Sequence, residues 1–317
     1  MRLQRGARWS HMLVERDVNI ERGRAVDRAY WYLPKTESLS PTASSLFVIS
    51  YLDQHTQQFI DDSFATSESL CLQFWYAMSS AILSIFLSKT NINGILGRGG
   101  MFLFSSDHIR DFLQLPTEWN PREHTLLDLG SGDGGVTEQF ADLFHTVHVT
   151  EMSHIMQWRL RQRGFQVIDS HDWPHQSHKY SLISALNLLD RHFHPKQLLR
   201  DLHKKSSESQ CDVLLSLVLP IKPYVEFHPN STSSKPDHYL SISGRMLEEQ
   251  VNSLIEGEFR ESGFQVIKWT KLPYLCEGDL HKPYYTLDDV LFLLHPFGDV
   301  AVNTVNQTSN QSTHIDL

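Results

Sequence analysis

Residues 126 to 138 read LLDLGSGDGGVTE: a short apolar run, an acid inside it, and then four glycines within six positions. Glycine at that density marks a chain that must turn sharply, because glycine alone enters the left-handed backbone region at no steric cost. The apolar run is too short for a buried helix and is closed by the turn. It therefore predicts a strand that feeds directly into a helix. That strand–turn–helix unit constrains everything that follows it.

The same rhythm continues downstream. TVHVTEMS, FQVIDSHDW, YSLISALNLLD and CDVLLSLVLPI are short apolar runs, separated by helical stretches such as the one around Pro195 to Lys205. Buried strands alternating with helices predict an α/β fold, with a mostly parallel sheet covered on both faces. In such a sheet the ligand lies beyond the carboxyl ends of the strands, where the strand order switches.

Gly130, Gly132 and Gly135 satisfy the GxGxxG spacing of a dinucleotide site, a weak signal by itself. Asp128 and Asp133 argue against it, since a pyrophosphate at this turn meets the positive end of a helix and is repelled by acids. S-adenosylmethionine has no phosphate and brings an ammonium and a sulfonium, for which carboxylates are favourable partners. The form hhDxGxGxG, Leu126 to Gly134 with Ser131 between the first two glycines, is the first motif of Rossmann-like methyltransferases. The expected fold is thus the class I Rossmann-like type: a mostly parallel seven-stranded sheet with an N-terminal helical cap.

Each later strand end adds a candidate. Glu151 closes VHVTE, about twenty residues past the turn, where an acid accepts hydrogen bonds from both ribose hydroxyls; Met152 follows it in the same turn. Asp172 and Trp173 close the third run, as acid for the adenine amino group and aromatic for stacking; Trp173 serves equally as a packing residue. At the fourth, Asn187 and Asp190 set an amide and a carboxylate beside the transferable methyl. Alternatively, Asn187 caps the next helix and Asp190 pairs with Arg191 at the surface.

The remaining sequence sets limits. A net charge of −9 argues against non-specific nucleic-acid binding. Three distant cysteines make neither a disulfide framework nor a cysteine zinc site. His171, His175 and His178 have ligand-like spacing but lack an acid or cysteine to complete a set, so no metal is expected. Residues 70 to 88 are uncharged and long enough to span a bilayer, yet Gln73, the serines and the helical spacing of Phe74, Met78, Ile82 and Ile85 favour a buried helix in a cap. Residues 1–43 read as a flexible or loosely helical Arg-rich leader without the apolar core of a secretory signal, 44–120 as the helical cap, 121–298 as the catalytic domain, and 299–317 as a disordered polar tail. Sequons begin at Asn230, Asn306 and Asn310, and matter only in the secretory pathway.

SYLDQHTQQF, INGILGRGGMFLFS, LLDLGSGDG, TEMS, LNLLDR, LVLPIKPYVE, EEQVNSL, LPYLCEGD and YYTLDD run in order from about Ser50 to Pro296. Together they make the chain resemble the DREV family of protein-histidine methyltransferases. The resemblance implies methyl transfer from S-adenosylmethionine to the N1 (pros, Nδ1) nitrogen of histidine, in His-x-His motifs with a small residue between. It implies histidine-rich protein partners, zinc-binding proteins among them, and residence in the endoplasmic reticulum and/or mitochondrion, with the cytoplasm as the alternative if the leader is as written; a monomer without a transmembrane span is expected. By position it puts Asp128, Gly130, Glu151, Asn187 and Tyr274 on the cofactor, and Asp190 and Tyr285 on the substrate side. Arg98, in GILGRGGMF, is the candidate for the methionine carboxylate.

Those residue types suit the chemistry. A carboxylate holding Nε2–H of imidazole exposes Nδ1 and stabilises the cation that forms, a role expected for Asp190. Tyr274 and Tyr285 either close the pocket near the positive sulfur or pack as core residues of the last strands. Acids such as Glu226 and Asp190 lining an open groove favour a histidine-rich peptide; an enclosed pocket favours a small-molecule acceptor. A non-catalytic cofactor-binding scaffold is the third class. HFH, His192 to His194, is itself a His-x-His string and raises self-methylation.

Overall fold

The computed structural model describes residues 2–84, 89–116, 118–229 and 233–298. Helices α1 (Arg2–Arg24), α2 (Pro41–Ser45), α3 (Gln54–Glu68), α4 (Leu70–Leu83) and α5 (Lys89–Leu96) come first, then a short strand β1 (Met101–Phe102) and α6 (Ser106–Leu113). The alternating part follows: β2 (Thr125–Leu129), α7 (Gly135–Glu138), β3 (Thr146–Thr150), α8 (His154–Gln162), β4 (Gln166–Val167) and β5 (Leu182–Leu186). It continues with α9 (Pro195–Ser209), β6 (Asp212–Val218) and α10 (Leu247–Ser253), which runs on through a π turn into α11 (Phe259–Glu261). A long hairpin, β7 (Phe264–Glu277) and β8 (Tyr284–Pro296), closes the described chain.

The strands form one sheet in the order β1-β7-β8-β6-β5-β2-β3-β4. The pairs among β2 to β6 are parallel, whereas β8 runs antiparallel to both β6 and β7. Seven strands thus match the expectation, and β1 adds an eighth by pairing antiparallel with β7 at the edge. The order reverses between β2 and β5, and the carboxyl ends of those two strands frame the switch point.

Both faces of the sheet are buried, which is why its strands read as unbroken apolar runs. Leu126, Leu182 and Leu214 face one core, shared with Ile60, Phe104, Ile109 and Phe140. Their neighbours Leu127, Ile183, Val213 and Leu215 face the other, packed with Leu199, Leu202, Phe259 and Trp269. The period of two along each strand sends adjacent residues to opposite layers.

The N-terminal segment departs from expectation. The Arg-rich stretch takes the helical of the two forms expected, but packed rather than loose: Arg16 and Ile20 are buried, and Arg16 Nη2 donates to the Ser67 carbonyl at 2.9 Å. Trp31 and Tyr32 join the first core, and Trp269 Nε1 donates to the Ala43 carbonyl at 2.7 Å. Phe102, Leu103, Phe104 and Ile109 also pack in the sheet's own core, so packing does not divide the chain at residue 120. The apolar helix α4 is present, but it is not the buried helix expected. Phe74, Trp75, Met78 and Ile82 are exposed and its one buried side chain is Gln73, whose amide donates to the Thr66 carbonyl. Among the described residues no helix is long and apolar enough to cross a membrane. Residues 299–317 and the three sequon asparagines lie outside the described residues.

Candidate active site

The glycine turn leaves β2 through three left-handed residues, Gly130 (φ 70°), Gly132 (φ 56°) and Gly134 (φ 82°). The Gly130 and Ser131 amides both donate to the Thr150 carbonyl, at 3.0 and 3.1 Å, which ties the turn to the end of β3. A Cβ on Gly130 would lie 2.8 Å from Leu188 Cδ1, whereas one on Gly132 would meet nothing within 4 Å. The open side of the turn is therefore at Gly132, where a ligand gains close approach to the backbone. Ser131 turns back, its hydroxyl donating to the Asp128 carbonyl at 3.0 Å.

Asp128, expected as a partner for the positive groups of the cofactor, is buried within β2. It is 2 % exposed, and its two oxygens accept from Ser184 Oγ and Thr137 Oγ1, each at 2.6 Å. Burial raises its pKa and these hydroxyl bonds oppose the rise. In this arrangement it clamps β2 to β5 and to the first turn of α7. Glu151 closes the pocket wall at the end of β3: Oε2 accepts from the Gly132 amide at 3.0 Å and Oε1 from Ser153 at 2.8 Å. A carboxylate keeps further lone pairs beyond one bond per oxygen, so Glu151 retains acceptor capacity for a ribose. Met152 is exposed beside it, its sulfur accepting from Ser170 Oγ at 3.0 Å.

The third strand end corrects the adenine assignment. β4 stops at Val167, short of Asp172 and Trp173. Trp173 is 5 % exposed and belongs to the core cluster that includes Ile183 and Leu199, which is the packing role left open for it by the sequence. Asp172 is exposed at the start of a 3-10 turn. The acid just past β4 is Asp169, whose Oδ1 accepts from the His171 and Asp172 amides.

The chemistry-bearing groups converge at the end of β5. Asn187 is left-handed (φ 53°), and its amide nitrogen is held by the Ser216 carbonyl and hydroxyl, both at 3.1 Å. It does not cap a helix; its Nδ2 donates to Asp289 Oδ2 at 2.5 Å. Asp190 is 4 % exposed, with Arg191 Nε 3.2 Å from Oδ2. Burial pushes its pKa up to about 6 against the lowering pull of Arg191. Asn187 Oδ1, Asp190 Oδ1 and Asp289 Oδ1 are all buried without a hydrogen-bond partner. Asp289 was not a sequence candidate. It lies in YYTLDD on β8, fully buried, its pKa raised to about 8 by burial and by the neighbouring Asp190 charge.

Tyr274 and Tyr285 stand on the β7–β8 hairpin. Tyr274 is half-buried, its hydroxyl directed to Met101 Sδ, and burial together with Asp289 and Asp190 raises its pKa. Tyr285 is 39 % exposed and donates to Asp279 Oδ2 at 3.0 Å; burial and this carboxylate raise its pKa to about 12. Arg98 lies with its guanidinium 5.1 Å from the centre of the Tyr76 ring, and its charge reaches Tyr285. Its loop is fixed by Glu277 Oε2, which accepts from the Gly99 and Gly100 amides at 2.8 and 3.2 Å. Helix α5 docks beside Glu151, with Ser153 Oγ 2.7 Å from Asn91 Oδ1 and Arg159 Nη1 donating to the Gly94 carbonyl. Thr90 Oγ1 donates to Glu226 at 2.7 Å, tying this cap to the loop after β6.

Two further expectations meet the geometry here. In the HFH string the Nδ1 atoms are engaged: that of His192 accepts from the His194 amide, and that of His194 from the Gln197 amide. The nitrogens that self-methylation would need are thus in use within the turn before α9. His171, His175 and His178 form no metal-binding group, nor does any other set of three or more histidine, cysteine or acidic residues among those described. A surface hollow lined by Arg110, Gln114, Trp119 and Leu143 adjoins the segments leading into β2 and β3, at the amino ends of those strands. None of its lining side chains carries a buried unpaired polar atom.

The family model of the DREV methyltransferases matches residues 31–296. Among solved structures, the chain is similar to a magnesium protoporphyrin IX methyltransferase from Synechocystis PCC 6803 with bound SAH (13 % identity, 60 % of this chain and 81 % of that one, TM-score 0.37). It is also similar to a glycopeptide N-methyltransferase complexed with S-adenosylmethionine (16 %, 61 % and 88 %, TM-score 0.37). A third is a SAM-dependent methyltransferase from Anabaena variabilis ATCC 29413 (12 %, 65 % and 91 %, TM-score 0.43). The family match spans the glycine turn, Glu151, the Asn187–Asp190 strand end and the closing hairpin alike, so the chain belongs to the DREV methyltransferase family and is an S-adenosylmethionine-dependent methyltransferase.

Proposed function

We propose that this enzyme methylates the N1 (pros, Nδ1) nitrogen of histidine in proteins, within His-x-His segments that carry a small residue between the two histidines. The observation that carries this reading is Asp190: a buried carboxylate with Oδ1 unpaired, at the strand end where the methyl acceptor of such a fold is placed. A buried unpaired oxygen is costly unless a ligand brings a donor to it. Neutral imidazole brings one N–H donor and, on the opposite side, one nucleophilic nitrogen.

Gly132 and Glu151 would hold S-adenosylmethionine, which would supply a methyl already activated by its sulfonium. The rest is done by this chain's own groups. Asp190 is ionised at neutral pH, since its pKa is about 6, and accepts Nε2–H. That fixes the tautomer in which the Nδ1 lone pair is free, and the carboxylate then offsets the positive charge the ring acquires. Asn187 Oδ1, at the same strand end, is a further buried acceptor, left for an N–H of the peptide other than the one on the imidazole. Placement in line and exclusion of water account for the remainder of the catalysis.

The test is incubation of the full chain with labelled S-adenosylmethionine and an Ala-His-Ala-His peptide, with the methyl located by mass spectrometry. Methyl on imidazole N1, lost in Asp190→Ala and in Gly130→Arg, is the expected result. Binding of S-adenosylmethionine with no histidine modified would leave the methyltransferase and remove the histidine substrate.

A further inference from the structure

Two adjacent acids on β8 lead different lives. Asp288 is exposed and pairs with Lys271 Nζ at 3.0 Å. Asp289 is fully buried, touches Asn187 Nδ2 with Oδ2 at 2.5 Å, and has no partner for Oδ1. A buried carboxyl with one oxygen unpaired lowers stability, so its place at the head of the buried apolar run of β8 calls for a compensating role. Its one side-chain partner is an amide that by itself is ambiguous: an asparagine presents either its oxygen or its NH2 group to a pocket. With Nδ2 held on Asp289, the oxygen is the end left unpaired. The backbone of Asn187 is fixed as well, by its left-handed conformation and by Ser216 on its amide.

We propose that Asp289 is a positioning residue, which holds the Asn187 amide so that Oδ1, and not the NH2 group, is presented to a backbone N–H of the acceptor peptide, the one N–H of the imidazole being held by Asp190. The substrate side of this inference rests on the histidine reading; the Asn187–Asp289 contact does not. Asp289 acts through Asn187 and touches neither substrate nor cofactor in this scheme.

Four proteins test it: Asp289→Asn, Asp289→Leu, Asn187→Ala and the double variant Asn187→Ala/Asp289→Leu. Methyl transfer to the Ala-His-Ala-His peptide, S-adenosylmethionine affinity by calorimetry, and the 15N-resolved side-chain amide signal of Asn187 are read in each. Misplacing a group near the reacting atoms costs on the order of a hundredfold in rate. Accordingly, Asp289→Leu lowers kcat by about thirtyfold or more. Asp289→Asn still offers Asn187 an acceptor and restores most of the rate. In the Asn187→Ala background Asp289→Leu costs nothing further, the non-additivity expected of residues acting as one unit. Losses that multiply in the double variant, or an Asp289→Asn as impaired as Asp289→Leu, overturn the proposal.

The amide signal, identified by its absence in Asn187→Ala, moves in Asp289→Leu and stays near its wild-type position in Asp289→Asn. A signal unmoved in Asp289→Leu also overturns it. Should Asp289→Leu not fold, Asp289→Asn and Asp289→Ala take its place in the same comparison. If the wild type leaves the peptide unmodified, the histidine reading falls, while the amide signal still decides the role of Asp289.

Discussion

Asp128 and Ser184 stand opposite one another in the register of parallel strands β2 and β5 and share a 2.6 Å hydroxyl–carboxylate hydrogen bond. With Thr137 on the other oxygen, the bond joins the two strands that frame the switch point and anchors the glycine turn between them. Removing one partner of a buried pair leaves the other unsatisfied, at about 1–3 kcal/mol. Ser184→Ala is therefore expected to lower the melting temperature by several degrees and to weaken S-adenosylmethionine binding by loosening the turn. Calorimetry and thermal melts check both. Unchanged stability with lost binding would mean that Asp128 contacts the cofactor directly.

Gly130 and Gly132 share a left-handed backbone but differ in what surrounds them. Alanine at Gly130 combines positive-φ strain, roughly 1–2 kcal/mol, with a Cβ 2.8 Å from Leu188. Gly130→Ala is expected to destabilise the fold and weaken the cofactor together. Alanine at Gly132 meets open space within the protein, so Gly132→Ala costs less stability while its methyl intrudes where the ligand approaches. Comparing the melting temperature with the S-adenosylmethionine Kd for the two variants separates protein strain from ligand exclusion.

The strands were legible because both faces of the sheet are buried, which writes LLDL, LISAL and DVLLSLV as apolar runs. Glu151, Asn187 and Asp190 were legible as strand-end positions. What each polar group meets was not. Asp128 finds Ser184, 56 residues away, and this partner takes an oxygen that the motif alone would leave to the cofactor. Of the two roles open to Trp173 the packing one is found, because β4 ends six residues earlier, at Val167, leaving the ring to pack in the core. Helix α4 reads as a core helix by composition, yet apolar side chains mark only what prefers burial, and here a polar Gln73 takes the buried position. Asp289 carried a usable signal, an acid amid LDDVLFLL, but its meaning depends on Asn187, 102 residues upstream.

Activity and stability are expected to run in opposite directions with pH around Asp190. Its folded-state pKa is raised to about 6 by burial, against the lowering effect of Arg191; Asp289, Tyr274 and Cys276 are the other titratable groups nearby. A carboxyl raised in this way contributes stability that is complete below its unfolded value of 3.8 and is lost as pH rises through about 6. Asp289 repeats the pattern through about pH 8. Catalysis needs the ionised Asp190 and a neutral acceptor imidazole, so kcat/KM climbs between pH 5 and 7 with two protons lost. Asp190→Asn leaves a shallower, one-proton rise from the substrate and a melting temperature that falls less from pH 5 to 7.5. Identical pH–rate slopes in both proteins would remove Asp190 from the reaction.

Glu277 provides the last test, of the loop that carries Arg98. Its Oε2 receives the amides of Gly99 and Gly100, and its own amide donates to the Gly100 carbonyl at 2.8 Å. Glu277→Ala frees two backbone donors and lets the loop drift, while Glu277→Gln keeps one neutral acceptor for them. If Arg98 binds the methionine carboxylate, Glu277→Ala raises the Kd for S-adenosylmethionine by about tenfold, the order expected for losing a charge-assisted hydrogen-bond contact. At saturating cofactor kcat stays close to wild type, because the contact is the same before and during methyl transfer. Glu277→Gln falls between the two, and Arg98→Ala is no worse after Glu277→Ala than alone. A fall in kcat with cofactor affinity intact would instead put Arg98 beside the acceptor, facing Tyr285 and the incoming peptide.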